Sequence, residues 1–376
     1  MQCYDNRDVL GKTAGAVACG HCARVDAAHD CPGCRRVVCE ACLHDWTTCE
    51  VPRVRELRLG LGARLRSVDR DGRYGLVSRW HGALEVIDLR GFRAVETPAE
   101  LPRVVSVGGP PLVYPLVTGD GHALAPRWTY ATEQGRVLWS TRAFDRFSLR
   151  DGSRDAIPSD GYGGPFQLCH GERYAFFKRS DETVQITDIE RKSTANFTPA
   201  PRDVLQAVWF DSPNQLLVTG VYGRVVLHRV DGDELEGLGH IPVPNLDIRY
   251  VFAANRRLAI IGERASRTHL YLHELDNDFA PKPTPARSWT AGQQPTAADM
   301  SPDGRHLAVA LSNRDVFVRD LQTEAAQMLH GHTDTVHLVR FTRGGELITA
   351  DCDNRVRLTP RGERGFVDVV IRVELG

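Results

Sequence analysis

Several absences narrow what this 376-residue chain can do before any motif is read. No apolar run approaches the roughly 18 residues of a membrane-spanning helix, and the polar start Met1-Gln2-Cys3-Tyr4-Asp5 has no secretory hydrophobic region. A cytoplasmic protein with no membrane partner is therefore expected. Neither charge is in excess: 47 Lys and Arg face 48 Asp and Glu, giving a net charge of -1 and a pI near 6.9. Nothing global draws such a chain to nucleic acid or to anionic lipid. Lysine is scarce beside arginine, and Arg35-Arg36 and Arg256-Arg257 are short pairs that read as solvated edges. Asp160-Gly161-Tyr162-Gly163-Gly164 lacks the Lys-Ser/Thr of a phosphate loop and reads as a turn, and there is no nucleophile elbow. Cysteine is almost absent from most of the chain. Beyond Cys49 only Cys169 and Cys352 occur, and they are expected to be structural thiols, far apart and unbridged.

What is present has the composition of a folded domain, 42% hydrophobic and 25% charged. From Val54 onward the pattern is short strands separated by Gly, Asp, Asn and Pro turns. One kind of strand recurs: Leu84-Glu85-Val86-Ile87-Asp88, Phe147-Ser148-Leu149-Arg150-Asp151, Val184-Gln185-Ile186-Thr187-Asp188, Val225-Val226-Leu227-His228, Leu270-Tyr271-Leu272-His273, Val316-Phe317-Val318-Arg319-Asp320 and Val356-Arg357-Leu358. The spacing is roughly 40 to 46 residues, that of propeller blades. Seven such anchors predict seven blades. The first gap is longer, roughly 60 residues, and residues 102–127 within it are either a long loop or an extra degenerate blade.

The last repeat is the most explicit. Gly331-His332-Thr333-Asp334 opens it, apolar residues alternate at Val336, Val339 and Phe341, Gly344-Gly345 makes a turn, and Asp353-Asn354-Arg355-Val356-Arg357-Leu358 closes it. This resembles a WD repeat without its Trp-Asp pair. The resemblance implies an all-β, seven-bladed propeller over 54–376, each blade a four-stranded sheet. It also implies a hydrogen-bonded network in which His332, Thr349 and Asp353 take three roles and Thr359 stands in the Trp position. In the preceding repeat Asp299-Met300-Ser301-Pro302-Asp303-Gly304 matches the family's first hairpin turn, and Arg319-Asp320 stands where Trp-Asp would be. His330, His332, His337 and Asp334 also suit a metal or acid–base site, but the repeat consensus accounts for His332 and Asp334 structurally. Trp80, Trp128, Trp139, Trp209 and Trp289 fall at strand ends, where packing is the default role. A ring must close, and Val54–Leu61 with Phe366–Leu375 are expected to meet in one blade.

The N-terminal part is different in kind. Residues 1–17 read as a flexible leader, and 18–52 as a cysteine-rich unit spaced Cys19-x2-Cys22-x8-Cys31-x2-Cys34-x4-Cys39-x2-Cys42, followed by His44 and Cys49. Each two-residue gap turns both sulfurs toward one metal, and thiolate-rich tetrahedral sets select zinc. Three knuckles and a looser fourth pair resemble a cross-brace finger of the B-box, RING or FYVE kind. That resemblance implies two structural zinc ions, one on Cys19, Cys22, Cys39 and Cys42, the other on Cys31, Cys34, His44 and Cys49. Cys3, His21 or His29 are alternatives to His44. Gly20-His21 in the first knuckle lacks the apolar residue of ubiquitin-ligase RING domains, and Asp26-Ala27-Ala28-His29-Asp30 lacks the basic motif of lipid-reading FYVE domains. The B-box spacing fits best. The expected protein is a non-catalytic interaction scaffold, a monomer outside its complex, with the propeller as one contact for a protein partner and the finger as a second. A RING-like ligase and a propeller enzyme are the rival readings.

Overall fold

The computed structural model describes residues 12–17, 27–30, 37–38, 54–79, 83–91, 93–95, 116–133, 136–158, 167–169, 171–179, 182–199, 203–282, 284–362, 365–366 and 370–374. Seven antiparallel sheets follow one another along the chain, at 64–95, 116–158, 167–197, 205–242, 247–291, 295–329 and 336–359, numbered here as blades 1 to 7. Within each, strands pair in sequence order. The first strands of blades 1 and 2, 4 and 5, 5 and 6, 6 and 7, and 7 and 1 touch, so first strands line the axis and fourth strands lie outermost. The protein is a WD-like seven-bladed β-propeller. The one helical turn among the described residues is Ser212–Asn214, and none of their helices is long and apolar enough to cross a membrane.

The recurring anchor strands owe their regularity to the aspartate that ends them. Asp88, Asp188 and Asp320 each terminate a third strand, and each Oδ1 accepts the N–H groups two and three residues on, which fixes the turn to the fourth strand. The first hairpin is capped in the same spirit. Asp69 Oδ1 accepts from Arg73 N and Tyr74 N at 2.8 and 2.7 Å, Ser301 Oγ from His306 N at 2.7 Å, Thr342 Oγ1 from Glu346 N at 3.1 Å, and Cys169 Sγ from Tyr174 N at 3.4 Å. In the Asp303-Gly304 turn, Gly304 has φ +64° and a Cβ there would sit 2.7 Å from the Ala254 carbonyl, so blades 5 and 6 meet at a position only glycine fills.

Blade 7 closes the ring. Val54–Arg58 pairs antiparallel with Arg355–Thr359 as its fourth strand, and Val370–Glu374 adds a fifth, parallel to Val54–Arg58. Both chain segments expected at the seam are there, but the N-terminal one closes the blade and the C-terminal one lies outside it. Blade 2 departs from the expected register. Its second and third strands, His122–Glu133 and Arg136–Ser148, are 12 and 13 residues long, and the third ends at Ser148 where the anchor was placed over Phe147–Asp151. Leu116–Thr118 pairs only with 122–124 and Arg154–Pro158 only with 143–147, so the remainder is a two-stranded arm beyond the blade. Of residues 102–127, 116–127 belong to blade 2, and 102–115 lie outside the described residues. At the N-terminus, Lys12–Val17, Ala27–Asp30 and Val37–Val38 form a three-stranded sheet.

Candidate functional site

Strand direction sorts the loops onto two faces. Turns joining first to second strands, and third to fourth, lie on one, here face A; turns joining second to third strands, and the links between blades, lie on the other, face B. On face A the turn of blade 1 reaches across the axis. Arg70, fully buried, donates from Nη1 to Asp299 Oδ2 at 2.8 Å and to the Phe341 carbonyl at 3.1 Å, tying blade 1 to blades 6 and 7. Its backbone N–H donates to Glu172 Oε1 at 2.6 Å, and Gly119 N donates to Glu172 Oε2 at 2.8 Å, which adds blades 2 and 3. Arg343 of blade 7 sits 3.0 Å from Asp71 and 3.7 Å from Glu172. Five of the seven blades are held by this one cluster.

Its electrostatics follow from the lack of water. Burial pushes the Asp69 carboxyl up to about 6; hydrogen bonds from Tyr74 and Arg73 oppose the shift and the Glu172 charge adds to it. Burial, with Arg70 nearby, pushes the Arg340 guanidinium down to about 10 while Asp299 and Glu172 hold it up. Asp299 takes both Arg70 and the Phe341 N–H, the latter at 2.8 Å. Glu172 takes two backbone N–H groups. These contacts join blades 1, 2, 3, 6 and 7, so the cluster acts as a clamp on the ring.

On face B the strongest approach to chemistry is Cys352, whose Sγ lies 3.9 Å from His337 Nδ1, with His337 Nε2 donating to the Leu65 carbonyl at 2.9 Å. Burial pushes the Cys352 thiol up and the His337 imidazole down, so both stay neutral at pH 7 and the thiol is not activated. Cys169 and Cys352 are both free. The repeat network of blade 7 is present with one change of member. His332 pairs with Asp351 Oδ2 at 3.0 Å through Nδ1 and with Thr349 Oγ1 at 2.8 Å through Nε2. Asp351, not Asp353, is the turn aspartate: it also accepts from the N–H groups of Thr333, Asp353 and Arg355. Asp353 instead accepts from the Thr333 hydroxyl at 2.8 Å.

Of the other residues singled out by sequence, His330 is exposed and pairs with Asp315 at 2.6 Å, apart from His332. Trp209 is buried, donates to the Ala253 carbonyl at 3.1 Å and meets Phe176 and Phe252 edge-on, joining blades 3, 4 and 5. Trp128 and Trp139 lie within the arm, not at strand ends. Cys19, Cys22, Cys31, Cys34, Cys39, Cys42, His44 and Cys49, with Cys3 and His21, lie outside the described residues. Among the described residues no group of three or more His, Cys, Asp or Glu is arranged to hold a metal. Arg70 and Arg340 were missed by sequence reading because an arginine beside a turn normally points to water; only their place beside the axis makes them structural.

Neither a family model nor a curated protein sequence matches the chain. Among solved structures, 1486 chains match, so the architecture alone does not narrow the function. One is the beta-propeller domain of Myceliophteria thermophila Cps50 (Swd1), with a TM-score of 0.57 and 11% identity over 81% of this chain and 98% of that one. At that identity the likeness shows the fold.

Proposed function

We propose that the protein is a non-catalytic interaction scaffold whose face B binds a protein partner. The observation that carries this reading is the distribution of exposed apolar residues. Among the described residues, the large hydrophobic side chains that stand out are Leu61, Val204 and Tyr222, at 101%, 64% and 71% exposure. Leu61 lies in the link from blade 7 to blade 1, Val204 in the link entering blade 4, and Tyr222 in the second turn of blade 4, all on face B. Singly such residues need no explanation, but all three are on the face from which the two-stranded arm projects, and we take that face as the docking surface. The arm adds to the argument because an isolated hairpin is marginal in water and gains stability when covered. Face A, by contrast, spends its polar groups on the ring itself.

The Cys-rich unit is the second contact in this proposal, folded by zinc on Cys19, Cys22, Cys39 and Cys42 and on Cys31, Cys34, His44 and Cys49. The donor set, thiolates at two-residue gaps with one imidazole, is of the kind that selects zinc. The metal would supply folding energy to a segment too short to bury its own core. Val54 starts its strand on face A, since Arg55 reaches Glu346 at 3.9 Å.

Co-purification tests the scaffold reading. A stoichiometric partner should be captured by the full chain and lost in a Val204→Glu/Tyr222→Glu variant whose melting temperature is unchanged; equal capture by both would refute face B as the docking surface. Metal analysis should return about two zinc ions per chain.

A further inference from the structure

At the rim of face B the cleft between blades 5 and 6 opens into a cavity of about 190 Å³. Leu270, Trp289 and Ala291 of blade 5 face Leu311 and Phe317 of blade 6 across it, and Arg319 closes one side. The arginine is unusually placed. Its guanidinium carbon lies 4.1 Å from the Trp289 ring centroid, its side chain is 13% exposed, and its Nε is buried without a hydrogen-bond partner. Glu324, 3.8 Å away, is already bonded to Arg287 at 2.9 Å. The neighbouring Asp320 is taken by Arg305 and by its own turn. Two guanidiniums thus share one carboxylate, Arg287 on Oε1 and Arg319 on Oε2, which leaves a surplus positive charge at the wall of an apolar cavity. Burial lowers the Arg319 pKa, with Glu324 opposing and Arg287 adding; an arginine nonetheless keeps its proton at pH 7.

The space and the charge describe an occupant. An apolar cavity of about 150 Å³ accepts a benzene ring, so this one accepts the side chain of phenylalanine or leucine. Beside it, Arg287–Ala291 is the outermost strand of blade 5, and its free edge offers backbone groups to an extended chain. We infer that the cleft between blades 5 and 6 recognises an extended segment of a protein partner, seating a phenylalanine or leucine side chain in the cavity and an aspartate or glutamate on Arg319. The inference rests on face B being the docking face and names the chemistry that one part of it reads. The guanidinium lies over the Trp289 ring, which restricts its donors before the carboxylate arrives.

A randomised nine-residue peptide library displayed on phage, selected against the full-length protein, tests this. Sequences carrying Phe or Leu within two positions of Asp or Glu should be enriched, and enrichment should vanish on an Ala291→Trp variant that fills the cavity. A synthetic peptide of the selected sequence should bind Arg319→Glu at least tenfold more weakly by fluorescence polarisation, and exchanging its acidic residue for Lys should restore binding to that variant. Arg319→Gln, with an intermediate loss, guards against misfolding of the reversal. No enrichment over Ala291→Trp, or peptides indifferent to Arg319, would overturn the inference. So would a concentration-dependent dimer that Ala291→Trp dissolves, because the pocket would then belong to a second copy of the chain. If the co-purified partner is lost with Tyr222→Glu but kept with Arg319→Glu, this inference falls while the scaffold reading stands.

Discussion

Arg70 and Asp299 carry opposite charges with almost no access to water, so neither is tolerable there without the other. Arg70→Met should cost about 3–5 kcal/mol in denaturant unfolding, because it strands a buried carboxylate. Adding Asp299→Asn should return part of that loss, since Asn still accepts the Phe341 N–H and carries no charge; a double variant as unstable as the sum of the singles would disprove the coupling. Asp69 gives a pH signature. Its folded pKa, about 6, lies above the ordinary 3.8, so between those values the folded state holds more protons than the unfolded one. Stability from this group is therefore full below about pH 4 and falls as pH rises to 6. Asp69→Asn keeps both turn hydrogen bonds and removes the charge. It should raise stability at pH 7.5 by on the order of 2–3 kcal/mol, with the gain gone by pH 4. An effect independent of pH would mean that the Asp69 charge is not penalised. At this scale sequence was informative for turn aspartates such as Asp88, Asp188 and Asp320, whose role is local. It was silent on Arg70, whose partners are 229 and 271 residues away.

At the scale of elements, the strands that build blades were legible because their period of two and the turn chemistry between them are local. The order in which the two chain ends enter blade 7 was not, since Val54–Arg58 and Val370–Glu374 both mix apolar and charged residues and only the ladder tells closing strand from added strand. That order changes what truncation should do. Removing residues 1–52 leaves the closing strand intact, and the ring should stay folded. Removing 1–58 leaves the Arg355–Thr359 edge open in an unclosed ring and should cause aggregation. Removing 368–376 takes away only the fifth strand and keeps Phe366, which packs on Phe341 and His306, so a monomer with a modestly lower melting temperature is expected. Size exclusion and thermal unfolding of the three truncated chains decide the matter: aggregation of the C-terminal truncation with a monomeric 59–376 chain would reverse the assignment. The arm of blade 2 was illegible for another reason. Residues 126–142 alternate like any strand, and nothing in that pattern says that the flanking strands stop short.

For the whole molecule, the seven blades followed from the spacing of anchors, whereas the division of labour between faces needed the ring. Its face A clamp and face B apolar residues come from blades far apart in sequence, so no window of the chain contains either. The central claim is that face B is where a partner docks, and hydrogen–deuterium exchange of the full-length protein, alone and with its co-purified partner, tests it most directly. Slowed exchange is expected in residues 59–62, 126–142, 203–204 and 222–223, with turns 69–73 and 342–346 on face A unchanged. Protection confined to those face A turns, or none on either face, would contradict it.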